Sequence, residues 1–508
     1  MSDKSINNKR IAKNTLMLYV RMLFLMAINL YTSRVVLEAL GVEDYGLYNA
    51  VAGFIAMFSM VSASISGSIS RFITFVLGQN DHLKLKRVFS TALIIQIAIA
   101  VLVVLLVELF GVWFLNTKMV IPEGRYFAAN FVLQFALLTF ILNLWSTPYN
   151  AALIAHERMS AFAFIGIFEG LATLLVALIL RISACDNLIL YAALMCLISF
   201  VIRLVYSIYC KRNFSECSFQ WIFDKTLFKE MFGFAGWNFI GVMSGLLREQ
   251  GLNLLFNIYF GPVVNAARGL ASQVNTAVGK FTQNFLMAVQ PQITKSYASG
   301  HFDDAHALVI RSSRLSFLLM MMFVIPIISE TEFILSLWLK EVPAHTVAFV
   351  QIILLISLLE SFSLPLIYLM LATGNIKKYQ LVVGTIYLLN FPVAWLILHS
   401  GGRAEIAQLS VLVFSVLALI LRSIMLKPMT GFPVKSYFIN TIIRCLIIFV
   451  ICAIPSYFVS MNVDTGFVRF LMSICLSEII IVIISFALGL DSIERQYITN
   501  KILTIIKR

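Results

Sequence analysis

Val88-Phe89-Ser90-Thr91-Ala92-Leu93-Ile94-Ile95-Gln96-Ile97-Ala98-Ile99-Ala100-Val101-Leu102-Val103-Val104-Leu105-Leu106-Val107 runs without a charge. An α-helix rises about 1.5 Å per residue and a bilayer's hydrocarbon core is about 30 Å thick, so about 20 such residues make one pass. The stretch belongs to a span over 88–111. The same reading applies at 15–37, 46–77, 126–152, 160–180, 188–209, 230–258, 263–294, 311–329, 346–372, 379–399, 405–426, 438–460 and 467–489, giving fourteen candidate spans. Across all 508 residues, 60% are hydrophobic and 12% charged, whereas soluble domains carry about a quarter charged residues. The fold class expected is an all-α polytopic membrane protein. The connecting loops leave no room for an external catalytic domain.

Charge placement gives the direction of the chain. Lys and Arg are retained on the cytoplasmic side of short loops. With the N-terminus inside, 24 of the 38 fall in cytoplasmic segments, among them Lys84, Lys86, Arg87, Lys211, Arg212, Arg311, Arg314, Lys377, Lys378 and the tail Lys501, Lys507 and Arg508. Five fall outside: Lys118, Arg125, Arg181, Lys340 and Arg403. One missed span would invert every later loop, so both termini are expected in the cytoplasm. The net charge of +13 would suggest nucleic acid for a soluble protein, but here it reports orientation, and no nucleic-acid partner is expected. The seven cysteines lie mostly in or beside apolar runs without metal-ligand spacing, so neither disulfides nor zinc are expected. The first apolar run continues past signal-peptide length without a small-residue cleavage site, so it is expected to remain.

Leu40-Gly41-Val42-Glu43-Asp44-Tyr45-Gly46 and Phe260-Gly261-Pro262-Val263-Val264-Asn265 each form a short exterior turn before a long helix rich in small and polar residues. Six spans per unit is an even number, so the two units share one topology. The expected domains are a six-helix bundle over 1–210, a cytoplasmic linker over 211–229, a second six-helix bundle over 230–426, and two further spans with a tail over 427–508. At 100° per residue, Asn265, Arg268, Ser272, Asn275, Thr276, Gly279, Lys280, Gln283 and Gln290 share one face of the eighth span, opposite Ala271, Val274, Val278, Phe281 and Phe285. Asn49, Gly53, Ser64, Gly67, Ser68 and Arg71 form a similar stripe on the second. These two faces are expected to line a central cavity. Close packing through small residues accounts equally for the Ser and Gly positions.

Nine cations remain inside or at the ends of spans: Arg21, Arg34, Arg71, Arg203, Arg248, Arg268, Lys280, Arg444 and Arg469. A Lys or Arg at the bilayer centre costs at least about 2.5–3.5 kcal/mol, so those near mid-depth need a cavity or a partner. Arg203, Arg444 and Arg469 are expected to snorkel, and Arg34 to pair with Glu38 one turn on. That leaves Arg21, Arg71, Arg248, Arg268 and Lys280. Deep acids are fewer: Glu108, Glu169, Glu249, Glu360 and Glu478. An excess of cations points to an anionic substrate, which guanidinium binds bidentately at phosphate oxygens. Glu249 and Glu360, the latter in a broken stretch before Pro365, are candidates for binding a coupling proton or metal ion, or for a structural pair with an arginine.

The pattern from Lys13-Asn14-Thr15 through Leu40–Asn49 resembles the Wzx-type polysaccharide and O-antigen flippases. So do Trp237-Asn238, Arg248-Glu249-Gln250-Gly251, Asn253, Phe260-Gly261-Pro262, Asn265-Ala266-Ala267-Arg268-Gly269, Gln273-Val274-Asn275 and Gln290-Pro291-Gln292-Ile293. These flippases belong to the multidrug/oligosaccharidyl-lipid/polysaccharide exporter superfamily. The resemblance implies a MATE-like fold of two pseudo-symmetric six-helix bundles plus two C-terminal helices. It also implies translocation of undecaprenyl-pyrophosphate-linked oligosaccharide, an O-antigen, capsule or exopolysaccharide unit, across a bacterial inner membrane by alternating access. Implied partners are that lipid-linked glycan, membrane lipids, and polysaccharide polymerase and assembly proteins. The role of engaging substrate carries over to Arg248 and Arg268, while Arg21, Arg71, Lys280, Asn265, Ser272 and Thr276 are assigned by location.

Two other classes compete. A cation-coupled multidrug exporter of the same fold explains the architecture but predicts an acid-dominated cavity. A membrane glycan polymerase or ligase needs a large exterior loop with catalytic groups, and the stretches around 112–125 and 330–345 are too short. No nucleotide-hydrolysis motif or catalytic triad is present in the sequence, so the chain is read as no enzyme, without cofactor, driven by a proton or sodium gradient or by mass action.

Overall fold

The computed structural model describes residues 3–491 except 57, 118, 120, 122–123, 219–223, 340 and 465, and also 494–496 and 499; side chains 3–9, 30, 42, 56 and 262 are not among those described. Lys118, Lys340, Lys501, Lys507 and Arg508, used above for orientation, lie outside the described residues, as does part of the 211–229 linker. No strand occurs among the described residues. The chain is a nearly all-helical, multi-pass membrane protein. It forms two compact units, residues 1–242 with 294–300 and residues 243–293 with 301–508.

The first unit begins with α1 (Asp3–Ala56), whose one non-helical residue is Gly41 at φ 75°. An L side chain is strained there, so glycine permits the turn expected between the first two spans. The path continues through α2 (Ser59–Gly78), α3 (His82–Leu106), a π-helical turn over Val107–Gly111, α4 (Val112–Thr117), α5 (Tyr126–Ala155), α6 (Met159–Ile182) and α7 (Asn187–Asn213). Asp81 and Asp186 cap α3 and α7, accepting from Lys84 N at 2.9 Å and Leu188 N at 3.0 Å, which satisfies amides otherwise left open at a helix start. Within this unit α1 packs on α6, α5 on α7 and α2, and α3 on α5.

The chain leaves through α8 (Lys225–Phe260) and returns through α9 (Pro262–Ala298), each divided between the two units. Gly261 between them has φ 76°, matching Gly41 at the corresponding turn. The second unit adds α10 (Phe302–Ser329), α11 (Thr331–Trp338), α12 (Thr346–Glu360), α13 (Ser363–Thr373), α14 (Lys377–His399), α15 (Ala404–Thr430), α16 (Val434–Tyr437), α17 (Arg444–Asn462) and α18 (Phe467–Ile484). Here α10 is central, packing on α12, α13, α17 and α18, while α15 packs on α12, α13 and α14.

Among the described residues, eleven helices are long and apolar enough to cross a membrane, or twelve when α12 and α13, bent by 42°, count as one. The expected fourteen is therefore not reached. The difference lies in spans 230–258 and 263–294, which are the helices α8 and α9 of 36 and 37 residues but fall short in apolarity.

The polar stripe of α2 is in part a packing surface. Ser64 and Ser68 are buried and donate to carbonyls on the N-terminal part of α8, Ala235 O at 2.7 Å and Met231 O at 2.9 Å, while Asn238 Nδ2 donates back to Ser64 O at 3.1 Å. These are the small-residue approach and interhelical hydrogen bonds that hold helices together in lipid. The last turn of α2 meets the last turn of α9 as closely: a Cβ on Gly78 would lie 2.9 Å from Lys295 Cα. Gly78→Val should therefore cost about 1–3 kcal/mol. The check is a thermal melt of purified protein beside Gly269→Ala, whose Cβ enters open space; equal melting temperatures for the two would show that this contact yields freely.

Two arginines expected to snorkel do not. Arg203 reaches inward to Asn143 Oδ1 and to Ser146 Oγ at 3.3 Å, with Glu169 at 3.8 Å. Arg469 is 8% exposed and bonds Glu330 Oε2 through Nε at 3.1 Å and Nη2 at 3.0 Å. Each found a protein acceptor at its own depth, which costs less than stretching to water. Arg34 pairs with Glu38 at 3.1 Å as expected. Arg444 donates to Leu488 O at 2.5 Å and Leu490 O at 3.3 Å and pairs with Asp491 at 3.4 Å. Beyond the last span, burial pushes the Asp491 carboxyl up, but its bonds to Arg314 and Arg444 outweigh that and hold it below the ordinary range.

Candidate functional site

The second unit contains a polar network built from α8, α9, α12, α14 and α15. Glu360 ends α12, where the span breaks, as the sequence suggested. Pro365, lacking an N–H, cannot extend the ladder there. Arg248 of α8 donates to Glu360 Oε1 at 3.0 Å and to Ser415 Oγ at 3.3 Å, and Ser415 donates to the same carboxylate oxygen at 2.8 Å. The guanidinium carbon of Arg248 lies 4.3 Å from the centroid of Tyr387, a cation–π distance. The Tyr387 hydroxyl in turn accepts from Arg422 Nη2 at 2.6 Å. Tyr387 thus joins two guanidiniums, one at its face and one at its oxygen.

Arg268 continues the network. It donates through Nε to Gln408 Oε1 at 3.0 Å and through Nη1 to Asn253 Oδ1. Nearby, Asn390 Nδ2 donates to Ser410 Oγ at 2.8 Å. Three guanidiniums therefore sit here with one directly paired carboxylate, Glu360. In a medium where each isolated charge is expensive, the remaining positive charge is held by neutral oxygens, an aromatic face and the unbonded attraction of Glu249, next to Arg248 on α8.

The structure separates the candidates read from the sequence. Arg248, Arg268 and Glu360 come together in this network. Glu249, the other coupling candidate, is exposed. On α9 the helix turns Arg268 to the buried side with Ala271 and Val278, both buried, so it does not share the open face expected of it. Thr276 and Lys280 are exposed and Asn265 and Ser272 partly so; Thr276 Oγ1 donates back to Ser272 O at 2.8 Å. In the first unit Arg21 lies 4.3 Å from the Phe162 centroid and so close to α6 that a Cβ on Gly166 would lie 2.2 Å from Arg21 Nε. Arg71 lies 4.4–4.6 Å from the Phe72 and Phe75 centroids and 5.6 Å from Phe234. Both candidate cations of this unit, Arg21 and Arg71, rest on rings.

Arg422, Tyr387, Ser415 and Gln408 were not anticipated. A readable signal existed. Gln408, Ser415 and Arg422 recur every seven residues on α15, two helical turns apart, and so share one face; all three are buried. Arg422 stands close to the end of its span, where an arginine reads as a headgroup-facing residue.

Comparisons with known proteins agree with this architecture. No curated protein matches the sequence. Among solved structures, a MATE transporter in the bent conformation superposes with a TM-score of 0.72 at 13% identity, over 84% of this chain and 96% of the other. An outward-facing multidrug resistance MATE family transporter of the MOP superfamily gives 0.69 at 12%, over 85% and 96%. A MOP superfamily transporter from Pyrococcus furiosus, for which a reversed binding-pocket polarity suggests a different function, gives 0.69 at 13%, over 85% and 96%. The family model MatE matches residues 248–396, from Arg248 through the α12–α13 break into α14. The chain has the MATE fold, and its polar network lies largely in the segment that resembles the MatE family.

Proposed function

We propose that this chain is a transporter that exports an amphipathic anionic cargo by alternating access, and that the cargo is a polyprenyl-pyrophosphate-linked oligosaccharide. The observation that carries this reading is the charge balance of the network, three guanidiniums to one directly paired carboxylate. A pyrophosphate supplies the opposite charge and the bidentate oxygens that guanidinium fits. Lys280 and Thr276, exposed on α9, are proposed to meet the cargo first, together with Asn265 and Ser272, and Arg21 and Arg71 to add positive potential. The proposed setting is a bacterial inner membrane with both termini cytoplasmic, with polymerase and assembly proteins acting next.

A second reading, a cation-coupled exporter of the multidrug type, draws more support from the comparisons, since the multidrug transporter shares the fold. It is also favoured by Glu360, a carboxylate at a helix break, which would bind a proton or sodium ion once released from Arg248. The two readings part in one experiment. Depletion of the protein should cause lipid-linked oligosaccharide to accumulate on the cytoplasmic leaflet while efflux of a cationic dye such as ethidium is unchanged. Loss of ethidium efflux without glycan accumulation would establish the multidrug reading instead.

A further inference from the structure

Away from this network, the junction of α15 with the helix running Val434–Asn462 forms a groove of about 570 Å³. It is lined by Lys427, Gly431, Phe432, Pro433, Val434, Lys435, Ser436, Ile439 and Asn440. Two lysines and two neutral polar side chains face it, with no acid. Both lysines are exposed, and neither ammonium has an ion pair or hydrogen bond among the described residues. Phe432 is buried beneath and closes the floor.

From this groove an apolar surface runs along the helix. Ile439, Ile443, Ile447 and Val450 are 50%, 48%, 53% and 56% exposed, and they follow one another about a turn apart. Ile424, 52% exposed, stands one turn before Lys427 on α15. Cationic side chains at the foot of an apolar helix surface match a molecule with an anionic head and hydrocarbon tails. The distribution of Lys and Arg assigns this end of both spans to the cytoplasm, where lysines meet the phosphates of the membrane's own lipids.

We infer that the groove binds one anionic phospholipid, its phosphodiester between Lys427 and Lys435 and its acyl chains along Ile439, Ile443 and Ile447. Ser436 and Asn440 offer hydroxyl and amide groups to the glycerol end. The occupant is a bilayer lipid rather than the exported cargo, because the groove is made only by α15, the loop after it and the start of the next helix, and shares no residue with the Arg248 network.

The test is native mass spectrometry of the full chain in detergent, titrated separately with dioleoyl phosphatidylglycerol and dioleoyl phosphatidylethanolamine. The expected result is a preference for phosphatidylglycerol that K427Q/K435Q weakens by about 25-fold, about fivefold per lysine. A second pair, K211Q/R212Q, removes two exposed charges from the end of α7 and should leave the preference intact. Equal losses in the two pairs would reduce the effect to diffuse surface charge and overturn the site. So would equal binding of the two lipids, or displacement by glycerol phosphate as effective as by the intact lipid.

Discussion

Glu330→Ala and Arg469→Ala should each cost about 3–5 kcal/mol of stability, enough to deplete the protein from the membrane. The Glu330 side chain is 0% exposed and that of Arg469 10%, and both guanidinium bonds converge on one oxygen, Oε2. Arg469 also donates to Ser460 O at 3.3 Å, so it ties α18 to α17 as well as to the end of α10. Removing either partner leaves a charge with no water to take its place. The pair itself is worth less than its breakage, since forming it required desolvating both ions. Glu330→Leu with Arg469→Met should accordingly recover most of the melting temperature lost by either alanine variant. A double variant no better than the worse single one would show that these side chains act independently, and the ion-pair account would then be abandoned.

That pair illustrates what the sequence discloses and what it withholds. Apolar runs such as 88–107 dictate that the chain crosses the membrane repeatedly, because hydrocarbon admits only helices and closed barrels and an unbroken run of about 20 apolar residues fits a helix. Gly41 and Gly261 announce their turns because of their position before long helices of similar composition. Charge depth was legible too: Arg248 and Glu360 stand out in an apolar chain. Partner choice was not, because an arginine near the end of a span can reach headgroups or a neighbouring helix, and only the rotation of each helix decides. Arg469 and Arg203 turned inward. The same rotation placed Arg268 beside Ala271 and Val278, although 100° per residue also allowed it the face that carries Ser272 and Thr276. Among the described residues eleven or twelve helices are long and apolar enough to cross a membrane, against the fourteen expected, because α8 and α9 carry polar residues such as Arg248, Asn253 and Arg268. Arg422 is a different kind of omission. Its heptad relation to Ser415 and Gln408 marks a narrow polar seam on the otherwise apolar α15.

Under the proposed function, Arg248→Ala should reduce transport by about tenfold to a hundredfold, the range expected when a charge-assisted hydrogen bond of about 1.5–3 kcal/mol is lost. The structure supplies a rival explanation, because the same substitution strips Glu360 of its bonded guanidinium and leaves it Ser415 Oγ at 2.8 Å and the more distant attraction of Arg422. Folding and function can be separated by changing both partners. Arg248→Leu with Glu360→Leu removes the pair without stranding either charge, so membrane abundance should return toward that of the unmodified protein. If Arg248 serves the cargo or the coupling ion, transport stays lost in this double variant. If it serves only to neutralise Glu360, transport returns with abundance, and the functional role is withdrawn. Arg248→Lys refines the result. A single ammonium carries the charge and can donate to Glu360 and Ser415, both of which Arg248 reaches through Nη1 alone, but it has no planar face to lay over the ring of Tyr387. Transport by Arg248→Lys should therefore fall well below its abundance, and the deficit should shrink when Tyr387→Leu is the background, since the stacking surface is then absent from both proteins. An Arg248→Lys variant as active as the unmodified protein would show that charge alone suffices there. In that event the planar geometry joining Arg248, Tyr387 and Arg422 would be packing, and the anionic cargo would have to be recognised elsewhere, with exposed Lys280 the next position to change.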